Sequence, residues 1–268
     1  MPADREIFVA PGLRSPFARI DRELADVDAL RLSTPVVQQT VAGPRGPGDG
    51  SAVDLVLWGS VIPSLEVSNW GREAWLESGL EPHVPAQGIV QACATSLAAA
   101  THGAAQTLAG RTDLVLCGGV ESMTFTQIGL PLRLSRTLRR TVQAGSPVRA
   151  AKTLAQLRLK DIRVRIPTAT ERTTGMTMGE HGEEMAKEWE IAREPQDRFA
   201  LRSHMRAVSS REKGFFRPLL VTPGTFPADQ DAVPRPDTSL DKLARLSPSF
   251  DRGEGTLTAG NSTPLTDG

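Results

Sequence analysis

The chain has 268 residues, which is enough for one large domain or two domains of modest size. Hydrophobic residues make up 39% and charged residues 23%, as is typical of globular proteins in water. Lys plus Arg and Asp plus Glu both number 31, and the resulting zero net charge argues against a nucleic-acid-binding protein. The charged N-terminal residues do not have the apolar stretch of a secretory signal, and no window reaches the ~20 apolar residues of a membrane span. Cys93 and Cys117 have the spacing of neither a disulfide framework nor a zinc site, so we expect a cytoplasmic protein without a metal.

Predicted strands and helices alternate in the first part of the chain. Short apolar runs that end at Gly or Pro predict buried strands, and longer runs predict helices. Because the predicted helix at residues 97–109 has few polar positions, we expect it to be buried on most sides. The alternation is typical of an α/β layered domain with a mostly parallel sheet. The predicted strands are residues 7–10, 53–58, 88–91 and 114–117, and the predicted helices are residues 25–41 and 97–109.

The second part of the chain has a different character. Between residues 131 and 167 there are ten Arg or Lys residues and a single acid, Asp161. Helices are predicted at residues 178–190 and 195–214, the second opening with a proline at a favoured first-turn position. Residues 218–236 are rich in proline and are predicted to be extended. A capping box beginning at Thr238 predicts a short helix that reaches residue 246.

Cys93 lies between a predicted strand and the start of a predicted helix. Backbone N–H groups at a helix N-terminus favour a thiolate over a thiol, and a thiolate can attack an acyl carbonyl carbon. The same N–H groups can stabilise an oxyanion. A cysteine beside a buried helix is also common as a packed structural residue, and the residues alone leave both interpretations open. We interpret Cys117, at the end of a predicted strand, as a core residue.

Five segments, in order, resemble the thiolase family. Gln-Ala-Cys-Ala-Thr-Ser-Leu at residues 91–97 resembles the nucleophile segment of thiolases, particularly that of the β-subunit of the fatty-acid oxidation trifunctional complex. The resemblance covers essentially the whole chain. It implies a thiolase-like layered αβα N-terminal domain (1–123), an inserted mainly helical loop domain (124–246) and a return segment (247–268), without the C-terminal pseudo-repeat. The other four segments are Arg-Ser-Pro-Phe at 14–17, Gly-Gly-Val-Glu-Ser-Met at 118–123, the paired helical segments from Met-Thr-Met-Gly-Glu-His at 176–181 to Ser-His at 203–204, and Arg-Pro-Asp-Thr-Ser-Leu at 235–240 with Thr-Ala-Gly-Asn-Ser-Thr at 258–263.

The resemblance implies an acyltransferase that cleaves 3-ketoacyl-CoA in fatty-acid β-oxidation, with coenzyme A as a substrate and no cofactor. Cys93 would attack the keto carbon and hold the shortened acyl group as a thioester. Met178 would line the acyl pocket, Arg235 would lie at the adenine end of coenzyme A, and Thr263 would lie near the pantetheine arm. Asn261 would occupy a turn beside the nucleophile. Without the resemblance, Met178 is equally explained as a core residue, whereas Arg235 is better explained as a solvated loop residue.

The resemblance also implies partners. Homo-oligomerisation through the N-terminal domain is expected, and a complementing C-terminal half or a hydratase/dehydrogenase α-subunit is a further candidate partner. The basic stretch at 131–167 would bind coenzyme A phosphates, contact an anionic membrane or remain a solvated face.

The remaining catalytic motifs of thiolases are not found in these residues. The family places a histidine in Gly-His-Pro, a second cysteine in Cys-x-Gly and an oxyanion site at Glu-Ala-Phe in a C-terminal half. The 268 residues contain no Gly-His-Pro and no Glu-Ala-Phe, and Cys117-Gly-Gly belongs to another motif. We therefore expect no complete turnover by this chain alone. The alternatives are a non-catalytic thiolase half that acts as an interaction module, and a ketosynthase-type condensing enzyme.

Overall fold

A computed structural model describes residues 5–44, 46–158, 161 and 170–268. These residues form two compact units, one containing residues 5–125 and 179–268 and the other containing residues 126–178. The smaller unit is shorter than the loop domain predicted at 124–246. Those predicted boundaries rest on the family resemblance and stay a prediction.

The larger unit is built around a parallel sheet of three strands in the order β3-β2-β4. In the register of this sheet, Trp58 of the central strand lies opposite Gly88 on one side and Gly118 on the other. Two short strands, β1 and β5, form a separate antiparallel pair. The strands are β1 (Ala18–Arg19), β2 (Leu55–Gly59), β3 (Ala86–Ile89), β4 (Val115–Gly119) and β5 (Thr266–Asp267).

Three helices of the larger unit begin directly after a polar residue whose side chain caps the helix N-terminus. Asp28 accepts hydrogen bonds from two N–H groups of the first turn of α1, and Asn69 and Ser239 cap α2 and α8 in the same way. The helices of the larger unit are α1 (Ala29–Ala42), α2 (Trp70–Glu77), α3 (Thr95–Leu108), α6 (Met178–Glu188, from its second residue onward), α7 (Arg193–Glu212) and α8 (Leu240–Ala244); those of the smaller unit are α4 (Leu132–Val142) and α5 (Pro147–Leu154).

The side chains of β2 alternate between two helical layers. Val56 and Trp58 belong to the core that includes α1 and α2. Leu57, on the opposite face, packs with Ala99 of α3. Because successive strand residues point to opposite faces, one buried strand holds helices on both sides of the sheet. The predicted α/β layered αβα domain is confirmed.

Most predicted elements are present within a few residues of their predicted bounds, but the strand at residues 7–10 was wrong. The side chains of Phe8 and Val9 are 83% and 95% exposed, and the described residues contain no strand that pairs with this run. An apolar run forms a strand only where a neighbouring strand accepts its backbone hydrogen bonds.

The expectation that the helix after Cys93 is buried on most sides was also wrong. In α3 only Thr95, Ala99 and Gly103 are buried, and Leu97 is 71% exposed. The buried positions are four residues apart, so they form one stripe against the sheet. Low polarity predicted burial, but the described residues cover only this one face of the helix.

The smaller unit contains a helical hairpin of α4 and α5, which carries six of the ten basic residues of the stretch: Arg133, Arg136, Arg139, Arg140, Arg149 and Lys152. Arg133 forms an ion pair with the buried Asp161 at 3.3 Å, and the Arg158 N–H donates to the same carboxylate at 3.0 Å. Lys160, Arg163 and Arg165 of the predicted basic stretch lie outside the described residues. No helix in the described ranges is long and apolar enough to span a membrane.

Replacing Gly118 by alanine tests the packing around Trp58. A Cβ at this position would lie 2.4 Å from the Trp58 ring, so Gly118→Ala should lower the free energy of unfolding by about 1–3 kcal/mol. Gly88→Ala is the matched control, because Gly88 flanks the same tryptophan in register and a Cβ there would meet nothing within 4 Å. Urea unfolding of both variants is the measurement. Equal destabilisation by the two substitutions would contradict this packing.

Candidate active site

Cys93 lies on a tight turn between β3 and α3, with its side chain exposed. Ala92 has φ of 45°, in the left-handed region that alanine rarely adopts. The Ala94 N–H donates to the Gln91 carbonyl oxygen at 3.0 Å, which closes the turn. Thr95 holds both sides of the turn: its hydroxyl donates to the Ala92 carbonyl oxygen at 2.7 Å and accepts from the Gln91 N–H at 2.8 Å. Together these hydrogen bonds hold the backbone in its strained conformation, in which the Cys93 thiol is exposed to solvent.

Glycines at the ends of β2 and β4 allow the first turn of α3 to approach the sheet. A Cβ at Gly59 would lie 2.0 Å from the Thr95 methyl group. A Cβ at Gly119 would lie 2.5 Å from the Ser96 hydroxyl and 2.9 Å from the Gly59 carbonyl oxygen. The turn that carries Cys93 is therefore positioned at the carboxyl edge of the parallel sheet, where α/β proteins commonly bind ligands.

Glu121, within the Gly-Gly-Val-Glu-Ser-Met motif, organises the same edge of the sheet. Its carboxylate accepts hydrogen bonds from the Ser60 hydroxyl at 3.0 Å and from the Val61 N–H at 2.8 Å. Its backbone pairs with Gly268 in both directions, at 3.0 and 2.9 Å. We did not predict this residue as functional; the motif that contains it was the signal that could have indicated it.

A cavity of about 400 Å³ lies in the larger unit and is lined by two of the predicted site residues, Arg235 and Thr263. Ser262 is another lining residue, and its buried hydroxyl has no hydrogen-bond partner within the described part of the chain. Of the described residues, neither Cys93 nor Asn261 contributes to the lining. The complete lining is Arg19, His204, Val233, Arg235, Asp237, Thr238, Lys242, Leu243, Leu246, Ser249, Phe250, Ala259, Gly260, Ser262, Thr263 and Pro264.

Asn261 is hydrogen-bonded to the protein through both ends of its amide. The amide oxygen accepts from the Thr258 N–H at 2.7 Å, and the amide nitrogen donates to the Thr256 carbonyl oxygen at 3.0 Å and to the Asp197 carboxylate at 3.1 Å. Asp197 is buried and also accepts from Arg193 at 2.8 Å. These contacts describe a residue that positions the return segment, and its predicted role in substrate binding stays a prediction.

Glu183 anchors the same return segment from α6. Its buried carboxylate accepts hydrogen bonds from the N–H groups of Thr256 and Leu257 at 2.6 and 2.9 Å. Burial acts to raise its pKa, but these backbone hydrogen bonds prevail and the pKa of Glu183 lies below its ordinary value.

Met178, at the start of the same helix, belongs to the smaller unit and is 68% exposed. Its predicted acyl-pocket role stays a prediction.

Arg14 and Asp231 join the beginning of the chain to the segment that leads to Arg235. The Arg14 guanidinium donates to both oxygens of Asp231, at 2.7 and 2.8 Å, and the Phe17 N–H donates to the same carboxylate at 3.0 Å. Burial acts to raise the pKa of Asp231, but the hydrogen bonds from Arg14 and Phe17 lower it below its ordinary value of 3.8. A bidentate pair of this kind fixes orientation as well as distance.

The two cysteines differ in accessibility. Cys93 is exposed, whereas Cys117 is partly buried. The Cys117 sulfur packs so closely against Gly103 that a Cβ at this glycine would lie 2.7 Å from it. Burial raises the pKa of the Cys117 thiol. The described residues contain no group of three or more His, Cys, Asp or Glu side chains placed to hold a metal ion.

The sheet order and the exposed cysteine between β3 and α3 define a layered α/β domain with its candidate site at the carboxyl edge of the sheet. Residues 7–268 match the family described as thiolase, N-terminal domain, and the chain belongs to it. It is 36% identical over 267 residues to a 3-ketoacyl-CoA thiolase of Yersinia pestis (strain Pestoides F), an alignment that covers 98% of this chain and 61% of that protein. The same figures hold for a 3-ketoacyl-CoA thiolase of Yersinia pseudotuberculosis.

A solved structure supports the same assignment. The acetyl-CoA acetyltransferase of Bacillus anthracis superposes with a TM-score of 0.79 at 28% sequence identity, covering 96% of this chain and 62% of that one. The chain therefore spans about three fifths of the length of the relatives that it matches.

Selective alkylation tests the contrast between the two thiols. Iodoacetamide should modify Cys93 in the folded protein at least about 10-fold faster than Cys117, because burial both shields Cys117 and disfavours its thiolate. Peptide mass spectrometry over a time course gives both rates. In urea the two rates should converge, and comparable rates in the native protein would refute this difference.

The Arg14–Asp231 pair predicts a pH-dependent contribution to stability. Since the folded state lowers the pKa of Asp231, its contribution is present above the ordinary carboxyl pKa of 3.8 and is lost as the pH falls through the lowered value. Asp231→Asn should therefore cost about 1–3 kcal/mol at pH 7 and less at pH 3. Chemical unfolding at the two pH values is the measurement.

Asp113→Asn is the matched control for this experiment. Asp113 forms an ion pair with Arg5 at 3.0 Å, but its side chain is 88% exposed, so its loss should cost less than about 1 kcal/mol. Similar losses in the two variants at pH 7 would show that the Arg14–Asp231 pair does not anchor the segment.

Proposed function

We propose that this domain serves the thiolytic cleavage of 3-ketoacyl-CoA, with Cys93 as the acyl-accepting nucleophile. The Cys93 sulfur, as a thiolate, attacks the C3 keto carbon and forms a new C–S bond. The C2–C3 bond then breaks, and its electron pair passes to C2 of the departing acetyl-CoA, which takes up a proton. The thiol of a second coenzyme A attacks the acyl–Cys93 thioester, releases the shortened acyl-CoA and returns the thiolate. Covalent catalysis divides one difficult carbon–carbon cleavage into two easier steps.

The observation that carries this proposal is the position of the Cys93 thiol. It is exposed on a strained turn two residues before the first helical residue of α3, and N–H groups at a helix N-terminus can stabilise the oxyanion formed at an attacked carbonyl. The Yersinia relatives that share the sequence over 98% of this chain are named for 3-ketoacyl-CoA thiolase activity. Since the chain spans 61% of their length, the complete catalytic cycle is proposed for the whole protein.

The cavity of about 400 Å³ is the proposed site for the coenzyme A portion of the substrate. Arg235 and Thr263 line it together, as expected for residues at the adenine end and at the pantetheine arm. We also propose that this cleavage belongs to fatty-acid β-oxidation and takes place in the cytoplasm. It would use no metal or other cofactor.

Trapping the acyl intermediate tests the proposed nucleophile. The 268-residue chain, incubated with acetoacetyl-CoA or acetyl-CoA, should gain one acyl group on Cys93, detected by intact-mass and peptide mass spectrometry. Cys93→Ala should abolish labelling, and Cys117→Ala is the matched control that should retain it. We expect little continuous thiolysis by this chain alone. Labelling that persists in Cys93→Ala would overturn the proposed role of Cys93, and turnover near that of intact thiolases would overturn the expectation of incompleteness.

A second candidate function is that of a non-catalytic half that pairs with another chain. The exposed apolar positions of α3 favour it, because Leu97 and Leu108 are 71% and 48% exposed on a helix that is already in the layered fold. Homo-oligomers, a complementing C-terminal half and a hydratase/dehydrogenase α-subunit are the proposed partners. Light scattering after size-exclusion chromatography distinguishes a monomer from an assembly, and the trapping experiment decides whether that assembly carries a reactive cysteine.

A further inference from the structure

The first residue of α3, Thr95, uses its hydroxyl group outside the helix. The Thr95 Oγ1 donates to the Ala92 carbonyl oxygen at 2.7 Å and accepts the Gln91 N–H at 2.8 Å. Both partners belong to residues 91–94, which we call the Cys93 turn. One side-chain oxygen therefore joins the helix to two successive backbone groups of the segment that carries the thiol.

The direction of this hydroxyl is unusual for a threonine on a helix. The Thr101 hydroxyl, on the same helix, donates to the Leu97 carbonyl oxygen four residues earlier at 2.9 Å, which is the common contact of a helical threonine. The N-cap residue of α3 is Ala94, whose side chain makes no capping hydrogen bond. The nearest hydroxyl, that of Thr95, is used for the Cys93 turn and not for the helix.

The two hydrogen bonds of the Thr95 side chain require a hydroxyl group. One atom must donate and accept at the same time, and among small side chains only those of serine and threonine do both from one oxygen. The acceptor is the carbonyl group of Ala92, the residue with φ of 45°. Backbone hydrogen bonds also close the turn, but any residue at position 95 could form them. The hydroxyl is the contribution that the side chain adds to the strained conformation.

The methyl group of Thr95 fixes the height of the turn above the sheet. Thr95 is 6% exposed, and a Cβ at Gly59 would lie 2.0 Å from this methyl group. Gly59 lies opposite Ile89 in the register of β2 and β3, so the methyl group rests on the sheet where β3 ends. The hydroxyl therefore holds the shape of the Cys93 turn, and the methyl group sets its position against β2.

We propose that Thr95 is a positioning residue for the Cys93 thiol. The reaction of that thiol is the one proposed above, and this inference rests on it. Thr95 would act through the backbone of the turn and not by contact with the reacting atoms. By holding Ala92 in the left-handed conformation, it fixes the direction in which the next residue presents its sulfur. Attack on an acyl carbonyl requires a defined approach of the nucleophile, whereas alkylation by a small reagent requires only an exposed thiol.

The variants Thr95→Val and Thr95→Ser test this role. Valine keeps the size and a methyl group but removes the hydroxyl, so acylation of Cys93 by acetoacetyl-CoA should become about 10- to 100-fold slower. Serine keeps the hydroxyl and should acylate within about 3-fold of the unmodified chain. Alkylation of Cys93 by iodoacetamide should change by less than about 3-fold in both variants, because the thiol stays exposed. Mass spectrometry over a time course gives the rates, and faster alkylation of the partly buried Cys117 would reveal unfolding.

Thr101→Val is the matched control, because it removes a hydroxyl from the same helix that bonds only within the helix. It should leave the acylation rate of Cys93 unchanged. Acylation that is equally fast in Thr95→Val and in the unmodified chain would overturn the proposed role. Equal slowing in Thr95→Ser or in Thr101→Val would overturn it as well.

A compensating pair of substitutions tests the same contact without valine at position 95. Gly59→Ala should slow acylation by about 10-fold, because its Cβ displaces the Thr95 methyl group and with it the turn. Adding Thr95→Ser removes that methyl group and leaves the Ile89 carbonyl oxygen, at 3.2 Å, as the nearest neighbour of the new Cβ. The double variant should therefore regain most of the lost rate. A double variant as slow as Gly59→Ala would contradict the coupling between Gly59 and the turn.

Hydrogen exchange at the Gln91 amide separates this inference from the proposed reaction, because it needs no thioester. Exchange measured by NMR should be about 10-fold faster in Thr95→Val and unchanged in Thr95→Ser and Thr101→Val. If exchange responds in this way but no thioester acylates the unmodified chain, the proposed nucleophile is wrong and the hold of Thr95 on the turn stands. If the unmodified chain is acylated but neither exchange nor acylation responds to Thr95→Val, the positioning role is wrong and the nucleophile stands.

Discussion

The close approach of the first turn of α3 to the carboxyl ends of β2 and β4 is the constraint on which the site depends. It requires glycine at positions 59 and 119, where any side chain would overlap with the helix or with the neighbouring strand. The helix can then begin directly above the sheet, and the turn before it takes up the remaining backbone strain at Ala92. Cys93 follows Ala92 directly on this turn, and its side chain is exposed.

The proposed substrate cavity depends on a different kind of interaction, which joins segments far apart in the chain. Buried carboxylates on α6 and α7, Glu183 and Asp197, receive hydrogen bonds from the return segment and hold it beside β1. Asp231 holds the segment before Arg235 in the same manner. Each carboxylate satisfies several donors at once, so the cavity wall has a defined shape although much of it has no regular secondary structure.

Local charge and total charge carry separate information in this protein. A balanced composition argues against non-specific attraction to polyanions, since that attraction depends on the summed field. It does not report the three arginines Arg19, Arg22 and Arg235 that line one cavity, because their proximity arises from the pairing of β1 with β5 and from the Phe17–Ala232 hydrogen bond. Six of the ten basic residues between positions 131 and 167 lie instead on the helical hairpin of the smaller unit.

The sequence by itself determined the family, the layered α/β class and the alternation of strands and helices, and it indicated Cys93 as the candidate nucleophile. These inferences depend on local patterns and on ordered motifs. The tertiary structure decided which surfaces of each strand and helix are buried. The apolar run containing Phe8 and Val9 found no neighbouring strand, and α3 buried only one stripe, since burial depends on which surfaces meet and not on hydrophobicity alone. It also decided that the amide of Asn261 is engaged by the protein, that Arg235 and Thr263 share a cavity, and that Arg19 and Arg22 lie beside them. These relations join residues up to about two hundred positions apart, and hydrogen bonds across that separation have no signature in the spacing of the sequence.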